Sequence, residues 1–567
     1  MRYVTVLGIH DGHDAGAAIV RNGIVISAVQ EERLVNIKHY SGLPTNSIKT
    51  VLRISDIPPS DINLIAIAGL IRTTSPLKEE ESFRVRTFNR LSPLVHHGGI
   101  SSLLKRLLAR SRRLDELHRI LAKVGLGDTE LTFIEHHQCH AACAYYSSPW
   151  PHDKDSLILT ADGAGDLLSS TVCIGSDFDI TRIASSSYYD SLGNVFYSEI
   201  TRYLGMTPWD HEYKVMGLAP YGKPDTCIAQ MQRIIDIDEN DGLRFRNKIG
   251  AYSYHVQPKL SKMLRYQRFD NIAAAAQLWL EQLLVSWIRN AIDATNIDKI
   301  CCAGGIFLNV KANKKILEME DVKDAFFYPA AGDDGVAIGA ALEGYGLYCR
   351  RDGLRPERHA LQNLYFGPSF GEEEIAEALK REGLLDKADY YEDMDSFVGE
   401  LLAKGKVVAR FDGRLEYGPR ALGNRSILAD PRDYKTTWKI NFMIKQRDFW
   451  MPFAPSILEN RADDYLINPR SSPYMILSFD TTDRRNEIVA GIHPKDKTCR
   501  PQTVSSWNES YSRLLRTFET QTGIGGILNT SFNLHGYPIV GTPELAIWTF
   551  KNSGLDFLAL GNFLVEK

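Results

Sequence analysis

Apolar and polar positions along this chain switch repeatedly between short strand-type runs and helical spacing. Val4–Gly8 is an apolar run that enters a turn rich in Gly and Asp. Ala15–Val20 and Ile24–Val29 read as strands joined by Arg21-Asn22-Gly23 as a hairpin turn. Ser156–Asp162 (SLILTAD) reads as a buried strand ending in Asp-Gly-Ala-Gly-Asp. Ala273–Ala294 places apolar residues at three- and four-residue spacing, which predicts a helix. Lys299–Cys302, the Gly304-Gly305 turn and Asn309–Met319 form a strand, a turn and a helix, and a second such unit spans Ala325–Tyr328, Ala331–Gly335 and Val336–Tyr345. Further on, Glu373–Glu382 and Pro543–Asn552 read as helices, and Val407–Phe411 and Ile524–Ser531 as strands. The class expected is α/β.

Cys349–Phe366 is polar and irregular and is the best linker candidate, dividing residues 1–355 from 366–567. A chain of 567 residues exceeds what one compact core holds. No internal repeat of fixed period is visible.

Composition narrows the picture. Hydrophobic residues are 44%, charged residues 24% and the formal net charge is −4, an ordinary globular balance that demands neither a nucleic-acid nor a membrane partner. No stretch approaches the roughly 20 apolar residues of a membrane span. Met1–Leu7 leads straight into Gly8-Ile9-His10-Asp11, so no signal peptide is expected. The eight cysteines are scattered without a Cys-x-x-Cys pair, which suggests reduced thiols and a cytoplasmic location. Pro76–Lys123 stands apart as a basic stretch with helical apolar spacing in Leu103–Leu121. It reads as a solvated helical insertion or as a contact for an anionic or amphiphilic partner.

Three constellations carry chemistry. In Glu135–Cys143 (EHHQCHAAC), His136 and His140 lie four apart and fall on one face of a helix, within reach of one divalent ion. A zinc protease would need Glu directly after the first His, where His137 stands. The pair alone fits a structural role as well as a metal site. Asp162 and Asp333, each in a Gly-rich turn, would complete a set suited to iron(II), manganese or zinc. The second constellation is Gly304–Asn309 (GGIFLN), where glycines free backbone amides to meet phosphate or ribose oxygens. It matches neither a P-loop nor the dinucleotide fingerprint. The third is Glu416–Arg432 (EYGPRALGNRSILADPR), with arginines in a rigid Gly-Pro setting. Together with Lys445, Arg447 and the NTSFN run ending at Ser531 and Asn533, it suggests a polyanion pocket.

These segments together resemble the O-carbamoyltransferase family that includes the tobramycin and cephalosporin carbamoyltransferases and the nodulation protein that carbamoylates lipo-oligosaccharides. The stretches are HDAGAA from His13, EERLVNIKH from Glu31, HHQCHAA from His136, ADGAGD at Asp162, EYKVMGLAPYG from Glu212, AGGIFLN at Gly304, GDDGVAIGAA at Asp333, the Glu416 block and NTSFN from Asn529, in family order over nearly the whole chain. The resemblance implies an N-terminal actin-like domain, like that of tRNA threonylcarbamoyl transferases, followed by a C-terminal YrdC-like α/β domain. It implies that carbamoyl phosphate and ATP, with Mg2+, yield carbamoyl-AMP in the C-terminal part, and that the carbamoyl group then passes to the hydroxyl of a small-molecule acceptor at the metal.

By the same resemblance the metal ligands are His136, His140, Asp162 and Asp333, with iron(II) first among metals. His13 is the general base. Asp11 stands at the acceptor end of the pocket and Lys38 at the adenylate end. Gly193, Gly305 and Asn309 contact the adenylate, and Arg420, Lys445 and Ser531 contact carbamoyl phosphate or ATP. A homodimer is also implied. One departure is Met451, which stands where the family has an Arg that holds carbamoyl phosphate; the alternatives are that Arg447 or Arg425 compensates or that the affinity of the first step is lower. The acceptor expected is a hydroxylated natural product, such as a macrolide or a sugar-bearing antibiotic. The rival readings are a tRNA threonylcarbamoyl-type modifier and a non-catalytic, actin-like ATP-binding regulator.

Overall fold

A computed structural model describes residues 3–72, 100–150 and 154–567. Residues 76–99 of the basic stretch lie outside the described residues.

The N-terminal part is built on two sheets. β1 (Thr5–His10), β2 (Gly16–Arg21) and β3 (Ile24–Gln30) form an antiparallel meander, and β4 (Leu64–Ala68) and β5 (Leu131–Ile134) add in parallel beside β1, giving the order β3-β2-β1-β4-β5. The second sheet repeats the plan. β6 (Ser156–Gly165), β7 (Leu168–Ser176) and β8 (Asp179–Ser187) form its meander. β9 (Ile235–Ile237) and β10 (Phe245–Asn247) pair as a separate ribbon. β11 (Lys299–Ala303) and β12 (Asp324–Phe327) then add in parallel beside β6, giving β12-β11-β6-β7-β8. Each sheet is thus three antiparallel strands extended by two parallel ones, a structural repeat with no counterpart in the sequence.

The helices His136–Tyr146 and Val336–Arg351 are nearly all buried, because their small residues let them pack between the sheets in one core with Val6, Ala66, Ile158 and Cys301. The outer face of the second sheet is covered by the helix Phe269–Thr295, which buries Leu280, Leu284, Trp287 and Ile288.

The C-terminal part is one eight-stranded sheet. Its strands are β13 (Ala388–Tyr390), β14 (Val408–Phe411), β15 (Arg425–Ala429), β16 (Ala454–Leu458), β17 (Gln502–Val504), β18 (Gly526–Ser531), β19 (Phe557–Leu560) and β20 (Phe563–Glu566), in the order β13-β20-β19-β14-β15-β18-β16-β17. Residue alternation fills both faces. Val408 and Leu428 enter one core, while Ala409, Phe411 and Ile427 enter the other.

Three expectations change. The linker candidate begins inside the helix Val336–Arg351, and while Arg355, Glu357 and Gln362 within it are exposed, Arg358 is docked. Arg358 is buried, donates to the Tyr145 carbonyl at 2.7 Å and lies 3.9 Å from the Tyr145 ring. The strand expected to end at Asp162 continues to Gly165, since its hairpin turn falls at Asp166-Leu167. The helix Ile100–Lys123 is not a solvated insertion at its C-terminal end, where Arg113, Leu117 and Leu121 are buried.

Candidate active site

The metal-type cluster rests on four segments. Glu135 caps the helix His136–Tyr146 by accepting the backbone N–H of His137 and Gln138 at 3.0 Å, which starts the helix at His136 and sets His140 one turn on. Asp162 projects from β6, and Asp333 from the turn before the helix Val336–Arg351. Gly165 makes room for the first imidazole, since a Cβ there would lie 2.0 Å from His136 Cδ2.

The four groups converge. His136 Nε2 lies 3.1 Å from His140 Nε2 and 3.4 Å from both Asp162 Oδ2 and Asp333 Oδ1, and His140 Nε2 lies 3.7 Å from each carboxylate. Bonds of about 2.1 Å from one ion to N and O ligands give tetrahedral edges of about 3.4 Å. The residues therefore fit a divalent metal, and two imidazoles with two carboxylates suit iron(II), manganese or zinc. Burial pulls the His136 imidazole down, but Asp333 and Asp162 outweigh it and raise its pKa well above the usual value. Burial likewise works against the Asp162 charge, and His136 and His140 overcome it, holding the carboxyl well below the usual range.

The Asp162 carboxylate also reaches the glycine turn, accepting the Gly305 N–H at Oδ1 over 3.0 Å. Gly304 adopts φ +102°, a conformation that L side chains rarely adopt, and a Cβ there would meet the Ala161 carbonyl at 2.2 Å. Asn309 caps the helix Val310–Leu317 and exchanges two hydrogen bonds with Gln277. Gly193, Gly305 and Asn309 all line one cavity of about 520 Å3, together with His13, Lys38, Asp162 and Asp333.

The same cavity is lined at the other side by Arg420, Lys445, Arg447, Arg500, Ser531 and Asn533. The turn before β15 is rigid. Glu416 Oε1 accepts the backbone N–H groups of Leu422, Asn424 and Arg425 at 2.8–3.0 Å. Two contacts dock this turn on the N-terminal part: the Tyr417 hydroxyl donates to the Asp334 carbonyl, and Arg33 donates to the Gly418 carbonyl at 2.7 Å. Lys445 ends a π-helical turn (Asn441–Lys445) and donates to Ser531 Oγ at 3.0 Å and Asn533 Oδ1 at 2.7 Å. Arg447 donates to Thr530 Oγ1 at 3.2 Å.

Among the described residues, none of these four cations is salt-bridged to a carboxylate. Burial, then the neighbouring Arg447, lowers Arg420 to about 10. Burial, then Arg447 and Lys38, pushes Lys445 well below the usual lysine value, and burial with Arg420 and Arg447 does the same to Arg500. Four like charges gathered without a salt-bridging carboxylate among the described residues suit a polyanion.

Two further residues of the sequence reading fall elsewhere. Asp11 is fully buried, paired by Arg113 at 2.6 Å and Arg72 at 2.8 Å, and does not line the cavity. Arg425 cannot stand in for an arginine at Met451. Its guanidinium donates to the carbonyls of Asp412, Asn424 and Gly413 and lies 3.7 Å from the Phe411 ring. Met451 itself lines the cavity. Two residues were missed. Arg500 sits in an irregular segment without a motif. His10 Nε2 donates to the His13 carbonyl over 2.8 Å and lies 3.9 Å from Asp333, linking the first loop to the tetrad.

Two family models match the chain, one in each half. The model described as "Carbamoyltransferase N-terminus" matches residues 5–342, and that described as "Carbamoyltransferase C-terminus" matches residues 399–567. The chain is 34% identical to nodulation protein NolNO of Sinorhizobium fredii over 98% of this chain and 79% of that protein. It is 33% identical to an uncharacterized protein of Synechocystis, covering 98% and 95% of the two chains, and 32% identical to one of Methanocaldococcus jannaschii, covering 99% of each. A solved structure of full-length HypF in a phosphate- and nucleotide-bound form matches 61% of this chain and 56% of that one at 10% identity and a TM-score of 0.31, a distant likeness that supports no transfer of function. With both halves matched in order and these relatives covered over 79–99% of their lengths, the chain belongs to the carbamoyltransferase family and is a transferase.

Proposed function

We propose that this carbamoyltransferase is an ATP-dependent O-carbamoyltransferase with two stations in one cavity. One observation carries the reading: Asp162 and Asp333 of the tetrad line the same space of about 520 Å3 as the cations Arg420, Lys445, Arg447 and Arg500, none of which is salt-bridged among the described residues. The N-terminal part then corresponds to an actin-like domain, consistent with its repeated sheet plan, and the C-terminal part to a YrdC-like domain, with the boundary between residues 355 and 366.

At the cation cluster, the guanidinium groups and Lys445 bind carbamoyl phosphate and the phosphates of Mg2+-ATP. Shielding there protects a reagent that breaks down in water. One water cleaves carbamoyl phosphate to phosphate and carbamate; a carbamate oxygen then bonds to the α-phosphorus of ATP as the bond to pyrophosphate breaks, giving carbamoyl-AMP, pyrophosphate and phosphate. Gly193, Gly305 and Asn309 border the adenylate on the way to the tetrad. His136, His140, Asp162 and Asp333 would hold the metal, iron(II) first, which when bound polarises a carbonyl oxygen as a Lewis acid. His13 takes the proton of the acceptor hydroxyl. The acceptor proposed is a hydroxylated natural product.

The test is release of pyrophosphate from ATP by the purified full chain with and without carbamoyl phosphate. Release that depends on carbamoyl phosphate supports the proposal, and its absence with Mg2+ present refutes it.

A further inference from the structure

The loop after β1 and the loop before the helix Thr45–Ser55 meet at a second cluster, beside the tetrad and distinct from it. Asp14 stands between two imidazoles. Its Oδ2 lies 3.0 Å from His13 Nδ1, and its Oδ1 lies 2.8 Å from His39 Nδ1. The two rings stack at 5.1 Å with an interplanar angle of 18°. His39 continues the chain on its other side: Nε2 lies 3.3 Å from Asp210 Oδ1, which also accepts from Lys38 Nζ at 2.5 Å. The backbone is strained to make this arrangement. Asp14 and His39 both sit in the left-handed region, at φ +56° and +53°. The Ala15 N–H donates to the Tyr40 carbonyl at 3.0 Å, and the His39 N–H donates to Glu32 at 2.9 Å, so the two loops are locked together. Non-glycine residues held in that region persist where the surroundings over-determine them, and such positions cluster at functional sites.

The trio could be read as a metal site, since its donor atoms lie within 4.8 Å of one another. The pairing argues otherwise. Each imidazole faces a different oxygen of one carboxylate at ordinary N–H···O length, and Lys38 adds a positive charge at the end of the chain.

We infer that Asp14 and His39 are positioning residues for His13, with Asp14 fixing the proton on His13 Nδ1 and His39 fixing Asp14. This rests on the proposed role of His13 as the base. With Nδ1 protonated, Nε2 is the basic nitrogen. In the transfer step the acceptor O–H proton moves to Nε2, the acceptor oxygen bonds to the carbamoyl carbon, and the bond from that carbon to the AMP oxygen breaks. AMP leaves with the electron pair. The electrostatics agree. Burial disfavours charge on all three groups, yet Asp14 raises both imidazoles, His39 well above the usual value, and the imidazoles hold the Asp14 carboxyl well below its usual range. An imidazolium at His39 that bridges Asp14 and Asp210 leaves the Asp14 carboxylate no freedom to turn away. The same logic makes the Asp of a hydrolytic triad an orienting group for its His.

Two readouts on the full chain test this. The first is proton NMR of histidine-labelled protein. Low-field Nδ1–H signals from His13 and His39 are expected, the former assigned by its loss in His13→Gln. Asp14→Asn, which keeps shape but turns one of the two accepting oxygens into an NH2 donor, should abolish one signal and move the other upfield, since a neutral amide is the weaker acceptor. The second is steady-state formation of AMP from ATP and carbamoyl phosphate, with water as the hydroxyl probe. Asp14→Asn should lower kcat by about 10²- to 10⁴-fold, the range for general-base catalysis, and His39→Gln by about tenfold or more, with KM for carbamoyl phosphate within threefold of wild type. His39→Lys, which keeps the charge facing Asp14, should recover part of the loss. If Asp14→Asn keeps the His13 low-field signal and wild-type kcat while His13→Gln is inactive, the positioning role is overturned and the base survives. If His13→Gln is as active as wild type, the base reading falls, and the positioning role with it.

Discussion

The carboxylate of Asp162 accepts the backbone N–H of Gly305 at 3.0 Å while its other oxygen lies 3.4 Å from His136 Nε2. One side chain thus ties the metal-type tetrad to the glycine turn of β11. Asp162→Asn removes an anionic ligand and leaves the turn intact. Metal content of the purified protein should fall at least tenfold below wild type, measured by elemental analysis, since even outer-shell changes cost 10- to 100-fold in affinity, roughly.

Gly165→Ala probes the same tetrad sterically. A Cβ there would sit 2.0 Å from His136 Cδ2, so the imidazole must turn. The expected outcome is metal loss with a stability penalty of about 1–3 kcal/mol, the usual cost of overpacking. Elemental analysis and urea unfolding check the two parts separately.

The cation cluster predicts opposite effects on stability and binding. Removing one guanidinium by Arg500→Ala relieves repulsion from Arg420 and Arg447. The ligand-free protein should melt at the same or a higher temperature than wild type. The rise in Tm on adding phosphate should shrink, because less binding free energy is available to stabilise the folded state. KM for carbamoyl phosphate should rise at least tenfold, which corresponds to about 1.4 kcal/mol.

Arg425 behaves differently although it lies five residues from Arg420. It is fully buried and saturates backbone carbonyls from the turn before β15. Arg425→Ala leaves those carbonyls unpaired and should cost about 3 kcal/mol or more. The check is denaturant unfolding.

Met451 lines the cavity with its Sδ 3.0 Å from where a Cβ on Gly217 would lie, and it cannot donate to phosphate. Met451→Arg should lower KM for carbamoyl phosphate. An unchanged KM would mean that Arg447 and Arg500 already supply the donors.

The sequence pattern made the strands and helices legible because burial imposes its periods residue by residue, as in Ala273–Ala294 and Lys299–Cys302. It also marked the ends of the site. His136 and His140 share a helix, so their spacing is informative, and the Glu416 block is dense in Arg, Gly and Pro. What joins these pieces is tertiary. Asp162 and Asp333 reach the histidines only because β6 and the turn before Val336 meet at one end of the sheets. Arg500 and His10 carry no local signal. Nor does spacing separate Arg420, which faces the cavity, from Arg425, which faces the core of the turn. The twofold sheet plan stayed hidden because strand order is a relation between distant segments, and the two halves fill the same plan with different residues.

The central claim is that activation and transfer occupy different ends of one cavity. The most direct measurement is carbamoyl-phosphate-dependent pyrophosphate release by His136→Ala and Arg420→Ala, with transfer of labelled carbamoyl phosphate to a panel of hydroxylated natural products followed in parallel. The account predicts that His136→Ala still releases pyrophosphate but labels no acceptor, and that Arg420→Ala does neither. Loss of pyrophosphate release in a folded His136→Ala protein, or acceptor labelling at wild-type rate by Arg420→Ala, would contradict it.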